Sequence, residues 1–417
     1  MSALTLSEKL IARAAQRETV TPGEEVWAIA DRMIMNDSSG PRRIAKLIEE
    51  LGGVWDRDRV VLVSDHFTPA ANRRHAEILE TTRTWARDNQ IKHFYEFEGV
   101  MHNLMLDRWL VQPGMLLIGA DSHTISAGAM GAFATPVGST ELATVLATGK
   151  IWLRVPQTIR IELEGELGRC LTLRDVTMKI LSDFSASFAT YRSLEYGGSF
   201  VEKLTMEQRL VLANQGIEMG AKNAVVEPSE WMFEAMEKAG IQQQCTPLYP
   251  DKDAQYLQTL QYDLNQLEPM VAAPHSPDNV VPISDVGSPD LSAAWMGSCV
   301  GGRLTDIRVM AQLLQGKRVR IPTTIVPATQ EIYQASIKEG LLGTLVQAGC
   351  NIQSPGCGAC AGLHSGILGP DDTIISTGPR NFAGRMGSRQ AKIFLGNPYT
   401  LAASAIAGKI IDPREVL

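Results

Sequence analysis

The chain has 417 residues, 44% of them hydrophobic and 20% charged, with a formal net charge of −7. This is ordinary globular composition, long enough for two or three domains. The acidic balance, without a dense Lys/Arg block, excludes a nucleic-acid surface, and no apolar run reaches the length of a membrane span.

MSALTLSEKLIARAAQRE has the pattern of an amphipathic helix with charges of both signs, not the apolar core of a signal peptide. TPGEEVWAIADRMIMNDSSGP is punctuated by turns at Pro22-Gly23 and Gly40-Pro41, and the helix RRIAKLIEELGG stops at Gly52-Gly53. RVVLV is the continuous apolar run of a buried parallel strand, ending on Ser64, Asp65 and His66. Groups just past the carboxyl end of such a strand face the ligand crevice of an open α/β sheet. NRRHAEILETTRTWARDN reads as a surface helix, on which His75 is solvated, as is the following His93; His102 comes shortly after Gly99.

GMLLIGADSHT repeats the device and delivers Asp121, Ser122 and His123. SAGAMGAFATPVGSTELATVLATGK reads as a loop leading into a helix, VPQTIRIELEGEL as a half-exposed strand, and LTLRDVTMKILSDF as a helix. The stretch 192–228 carries a strand, a glycine turn and a helix, with Asn214 and Glu218 four apart on one helical face. Residues 242–289, rich in Pro, Asp and Gln, read as a long linker broken at Pro274–Pro277. SAAWMGSCVGGR is again a strand and a glycine turn, delivering Cys299; KRVRIPTTIVPAT is a strand, IYQASIKEGLLGTLVQAG a helix, and DTIIST a strand ending before Arg380. The organisation is thus α/β, with an N-terminal region over 1–285, built of two interleaved subdomains, and a C-terminal domain over 286–417 carrying the clustered cysteines.

Six cysteines in 417 residues are no disulfide framework; they are expected to be reduced, in a cytoplasmic protein. Cys357 and Cys360 form a C-x-x-C inside SPGCGACAG, where glycines free the backbone to wrap something bulky. With Cys299 they make three thiolate ligands for one iron–sulfur cluster; a zinc site, a redox dithiol and coincidence are the competing readings of the spacing. Cys170, Cys245 and Cys350 read as small buried hydrophobes. Asp65-His66 and Asp121-Ser122-His123 place carboxylate beside imidazole at two strand ends, as general acid–base chemistry needs. Each pair alone could be a turn cap, and His102 alone a structural histidine. Arg380 and Arg385 suit bidentate carboxylate binding, or a solvated surface.

Taken together, DSHT after an apolar strand, G-S-C followed by P-G-C-G-x-C, and R-N-F-x-G-R resemble the aconitase superfamily, nearest to the large subunits of the 3-isopropylmalate dehydratase and homoaconitase group. The resemblance runs from the Asp65-His66 strand to the end of the chain. It implies three α/β/α domains with mixed sheets around a central iron–sulfur cleft, and a hydro-lyase acting on a small hydroxy di- or tricarboxylate. Dimethylmalate-, citramalate- and homoaconitate-type acids are the alternative substrates to a 3-isopropylmalate-like one.

Carried over by position, the resemblance gives Cys299, Cys357 and Cys360 a [4Fe–4S] cluster with one iron lacking a cysteine. It makes Asp65, His66, His102, Asp121, His123 and Glu218 catalytic, and Ser122, Asn214, Arg380 and Arg385 substrate-binding. It also implies a separate small subunit carrying the swivel domain with a serine base, because the chain ends where such large subunits end. Val300 and Gly301 stand where the family commonly has Thr-Asn, Pro379 where it commonly has Asn, and Asp107 near His102 where a Glu is usual. Rival readings are a mononuclear-metal lyase on the same cysteines, an RNA-binding or iron-sensing protein that has lost catalysis, and a zinc-structured binding module.

Overall fold

The computed structural model describes residues 3–416. The opening helix, Leu6–Ala14, starts at a capping box between Thr5 and Glu8. Strand β1 (Glu25–Ile29) pairs antiparallel with β7 (Lys150–Arg154) as a two-stranded ribbon. Between them the chain builds a parallel sheet of β2 (Arg32–Asn36), β3 (Val60–Ser64), β4 (His93–Glu96), β5 (Leu116–Gly119) and β6 (Phe133–Pro136), in the order β4-β3-β2-β5-β6. Helices Pro41–Glu50 and Arg73–Asp88 make the crossovers. Val60, Val61, Leu62 and Val63 are wholly buried, which is why this strand shows no alternation.

A second parallel sheet, in the order β10-β9-β8-β11, is built from β8 (Thr158–Glu164), β9 (Ser193–Gly197), β10 (Asn223–Val226) and β11 (Gln258–Asp263). The third has seven strands: β12 (Met270–Ala272), β13 (Val280–Pro282), β14 (Ala293–Met296), β15 (Thr323–Ile325), β16 (Asn351–Ile352), β17 (Thr373–Ser376) and β18 (Lys392–Leu395), in the order β13-β12-β18-β17-β14-β15-β16. β12 runs antiparallel to β13 and β18; the others are parallel. One apolar core joins all three larger sheets, from Val61 and Leu117 through Ile159 and Leu194 to Trp295.

Strand order locates the crevice. In the first sheet the chain moves outward from β2 through β3 to β4, then returns to place β5 on the other side of β2. In the third it moves from β14 through β15 to β16, then returns to place β17 on the other side of β14. Each reversal is a switch point, where the carboxyl ends of neighbouring strands part and leave room for a ligand.

Several sequence expectations are corrected. β8 is buried along most of its length because strands flank it on both sides. Residues 242–289 are no linker: β11 joins the second sheet, while β12 and β13 join the third. The segment after Asp121 holds a strand, β6, as well as a helix. The helix expected over 332–349 is two, Gln330–Lys338 and Leu341–Gln347, divided at Gly340 with φ +73°. His75 is buried with its ring 4.7 Å from that of Phe67, and His93 is half-buried.

Candidate active site

Both switch points open on one cavity of about 60 Å³. From the first sheet, β3 brings Asp65 and His66, β5 brings Asp121, Ser122 and His123, and the helix Met101–Asp107 brings His102. From the third, β14 runs into Cys299 and β17 into Pro379 and Arg380. Cys357, Cys360, Ala361 and Arg385 complete the lining.

Local backbone explains how the cysteines are aimed. Ser298, immediately before Cys299, adopts a left-handed conformation with φ +77° that a non-glycine residue holds only when its surroundings impose it. The Cys357 amide donates to the Asp65 carbonyl at 2.8 Å, so the cysteine loop is tied to the end of β3. At Gly358 a Cβ would lie 2.1 Å from Cε1 of His364, whose Nε2 lies 3.1 Å from the His66 carbonyl. At Gly301 a Cβ would lie 2.2 Å from the Thr377 hydroxyl, so this position has no room for a side chain.

The polar groups form a connected network. His66 Nδ1 lies 2.6 Å from Asp65 Oδ1 and 3.8 Å from Asp37 Oδ1. Burial alone would lower the His66 pKa, but Asp65, Asp37 and Asp121 outweigh it and raise it to about 10, so the ring is an imidazolium at neutral pH. His102 Nε2 lies 2.9 Å from Asp121 Oδ1. Burial works against the charge of Asp121, yet His102, His66 and His123 hold its carboxyl well below the usual range.

His123 goes the opposite way: burial and the charge of Arg380 push it down to about 4. Its Nε2 lies 3.2 Å from Glu218 Oε1. Burial disfavours the Glu218 charge, but His123 and Arg380 hold its pKa below the ordinary value. An ionised carboxylate only accepts, so the neutral ring carries its proton on Nε2 and its lone pair on Nδ1. Arg380 donates from Nε to Glu218 at 2.7 Å and from Nη1 to Ser122 Oγ at 3.0 Å.

The three cysteines suit an iron–sulfur cluster on their own chemistry. The Asn214 amide donates to Cys299 Sγ at 3.1 Å and Arg385 Nη2 to Cys360 Sγ at 3.5 Å, contacts that suit ligated thiolate sulfur; Nε of Arg385 is buried without a partner among the described residues. The Cys357 S–H, together with the charges of Arg385 and Arg380, pulls Cys360 down to about 5 against its burial. Among the described residues the three sulfurs do not all lie within 4.8 Å of one another.

Of the residues singled out in the sequence, Asp65, His66, His102, Asp121, Ser122, His123, Cys299, Cys357, Cys360, Arg380 and Arg385 all line the cavity. Glu218 and Asn214 lie behind it, and they share no helix. Helix Met206–Gln215 ends before Gly216, and Glu218 sits in the 3₁₀ turn Gly216–Met219. Asn214 is fully buried, donating to Ser126 and Cys299. Asp107 is engaged by Arg303 and Thr329, away from the cavity.

Sequence reading passed over three residues. Asp37 is wholly buried and accepts from the His66 and Phe67 amides. Asn36 donates to Asp121 at 3.2 Å. Both follow the apolar run Met33–Met35, so the strand-end rule that found Asp65 would have found them. Arg174, buried in the first turn of its helix, donates to the Gly378 carbonyl at 2.5 Å and so anchors the turn before Arg380; its sequence pattern carries no signal.

Comparison with known proteins agrees with this geometry. Residues 8–294 and 285–408 match the aconitase family (aconitate hydratase). The chain is similar to the 3-isopropylmalate dehydratase large subunit 1 of Methanopyrus kandleri, 41% identical over 99% of both chains. It is also similar to a probable methanogen homoaconitase large subunit of Methanosarcina mazei, 40% identical over 88% of this chain and 94% of that one. In fold it is similar to the aconitase X of Thermococcus kodakaraensis, with a TM-score of 0.53, 13% identity and 88% of each chain covered. The chain belongs to the aconitase family and is a hydro-lyase.

Proposed function

From that membership we propose that the chain is the cluster-bearing large subunit of an iron–sulfur hydro-lyase that removes water from, or adds it to, a 3-isopropylmalate-like hydroxy dicarboxylate. The observation that carries the reading is the meeting of three cysteine thiols, three imidazoles and two guanidiniums in one cavity. Cys299, Cys357 and Cys360 hold a [4Fe–4S] cluster with one iron free of cysteine. When bound, the cluster supplies a Lewis-acidic iron for the substrate's oxygens.

The chain's own residues supply the rest. Hydroxide is a poor leaving group, and the His66 imidazolium, kept charged by Asp65 and Asp37, holds the proton it needs. His102 and Asp121 orient the neighbouring face through their hydrogen bond. His123 presents the Nδ1 lone pair, its tautomer set by Glu218. Ser122 accepts from Arg380, and Arg380 and Arg385 take the substrate carboxylates, where negative charge grows as the α-proton leaves. Asn214 supports Cys299. The base that removes that proton comes from a small subunit closing the cavity, in keeping with the "large subunit" in the relatives' names.

The test is to assemble the chain anaerobically with its small subunit and screen 3-isopropylmalate, dimethylmalate, citramalate and homoaconitate-type acids by absorbance of the conjugated alkene. Turnover of a malate substituted at C2 or C3 supports the reading. A fully loaded complex that turns over none of them overturns it.

A further inference from the structure

The ribbon β1–β7 carries a face that the fold leaves uncovered. Val26 and Ala28 on β1, and Ile151 and Leu153 on β7, point inward and are buried. Glu25, Trp27, Lys150, Trp152 and Arg154 point outward, as strand alternation requires. Trp27 lies directly opposite Trp152, and Glu25 directly opposite Arg154. The two tryptophans are 66% and 54% exposed. Single exposed apolar residues are ordinary, but two adjoining indoles on a flat strand pair form a patch of the kind that marks an interaction surface.

Charge narrows the occupant. Glu24 next door is paired with Arg17, whereas among the described residues Glu25 and Arg154 have no ion-pair partner. Among the described residues the face thus has an apolar centre, a free anion and a free cation, Glu25 and Arg154, at the same level on opposite strands, and a second free cation, Lys150, opposite Ile29. Such a surface is complementary to itself. If a second copy lies face to face about a twofold axis parallel to the strands, each β1 covers the other's β7 at the same level. Trp27 then packs on Trp152 of the second copy, Glu25 meets its Arg154, and both contacts occur twice. Ile29 falls against the aliphatic stem of Lys150. A groove lined by Ala14, Ala15 and Thr148 at the ribbon's edge gives the indoles room to settle.

We propose that the outward face of the β1–β7 ribbon joins two copies of this chain through the Trp27–Trp152 pair and reciprocal Glu25–Arg154 ion pairs. Sedimentation equilibrium of the full chain at micromolar concentration tests it. The wild-type chain sediments as a dimer. Trp27→Glu and Trp152→Glu each give monomers with unchanged circular dichroism, since neither side chain belongs to the core. Glu25→Arg alone places four cations where the reciprocal ion pairs form and Arg154→Glu alone four anions, so each loses the dimer. An equimolar mixture of these two variants regains it, because every contact again joins opposite charges. The like-charge strain inside each mutant ribbon persists in the mixture, so recovery reports the contact between copies. A monomeric wild-type chain overturns the proposal. So does a dimer that survives both tryptophan substitutions, or a mixture that stays monomeric.

Discussion

Replacing Asp37 by asparagine separates two roles of one buried carboxylate. Asp37 Oδ1 lies 3.8 Å from His66 Nδ1. At that distance, with an effective dielectric near 20, the attraction is about 4 kcal/mol, or about three pKa units as an upper bound. His66 at about 10 therefore falls by about two to three units in the variant, to roughly pH 7–8. If His66 provides the proton, the alkaline limb of kcat/KM moves down by the same amount.

Stability responds differently. His66 is raised from 6.5 to about 10, so its contribution is full below pH 6.5 and is lost as pH rises through 10. Asp37 is raised from 3.8 to about 6, chiefly by burial, so its contribution is full below pH 3.8 and is lost as pH rises through 6. That loss is about 3 kcal/mol by pH 7, from a shift of about two units at about 1.4 kcal/mol each. Asparagine avoids it, but leaves one of the His66 and Phe67 amides poorly matched, at about 1–3 kcal/mol. The variant is expected to unfold in urea at pH 7 within about 2 kcal/mol of the wild type, while its alkaline limb shifts by whole units. A pH–rate profile of the assembled enzyme, beside urea titrations at pH 5 and 7, gives both numbers. An alkaline limb that stays within about half a unit refutes the role given to the Asp37–His66 pair.

The site carries further expectations. Arg380→Gln removes two charge-assisted hydrogen bonds and lowers kcat/KM by more than about 100-fold at roughly 1.5–3 kcal/mol each. It also lifts His123 from about 4, so the acid limb of the residual activity moves to higher pH; an unmoved limb contradicts the assignment. Gly358→Ala forces a methyl into the His364 ring at a cost of about 1–3 kcal/mol. It should retain less iron and sulfide at unchanged circular dichroism; full retention counts against the close wrap. Asn214→Ala removes the donor to Cys299 Sγ and should make the cluster's reduction potential more negative in an EPR-monitored titration.

The site was legible where a local rule carried it. Continuous apolar runs ending in Asp-His or Gly-Ser-Cys announce strands whose ends face a crevice, and β3, β5 and β14 obey that rule. The same rule applied to β2 reaches Asp37, whose signal is masked by the turn residues Gly40-Pro41 that follow it closely. Residues 242–289 look like a linker because β11, β12 and β13 are short and take their partners from distant sequence: β11 pairs with β8, and β12 with β18. Those pairings leave no local period. Asn214 and Glu218 show the limit of spacing arguments, since the helix ends between them, yet tertiary packing brings one to Cys299 and the other to His123. Arg174 could only be found in three dimensions, because what it holds is a carbonyl some 200 residues away.

The central claim, that Cys299, Cys357 and Cys360 hold an open-cornered cluster, is tested most directly by iron and acid-labile sulfide analysis with EPR on protein purified without oxygen. An open-cornered cluster gives about four of each per chain, falling toward three iron on exposure to air, and is lost in Cys360→Ser. A single metal ion per chain with no sulfide would contradict it and return the three thiols to a mononuclear site.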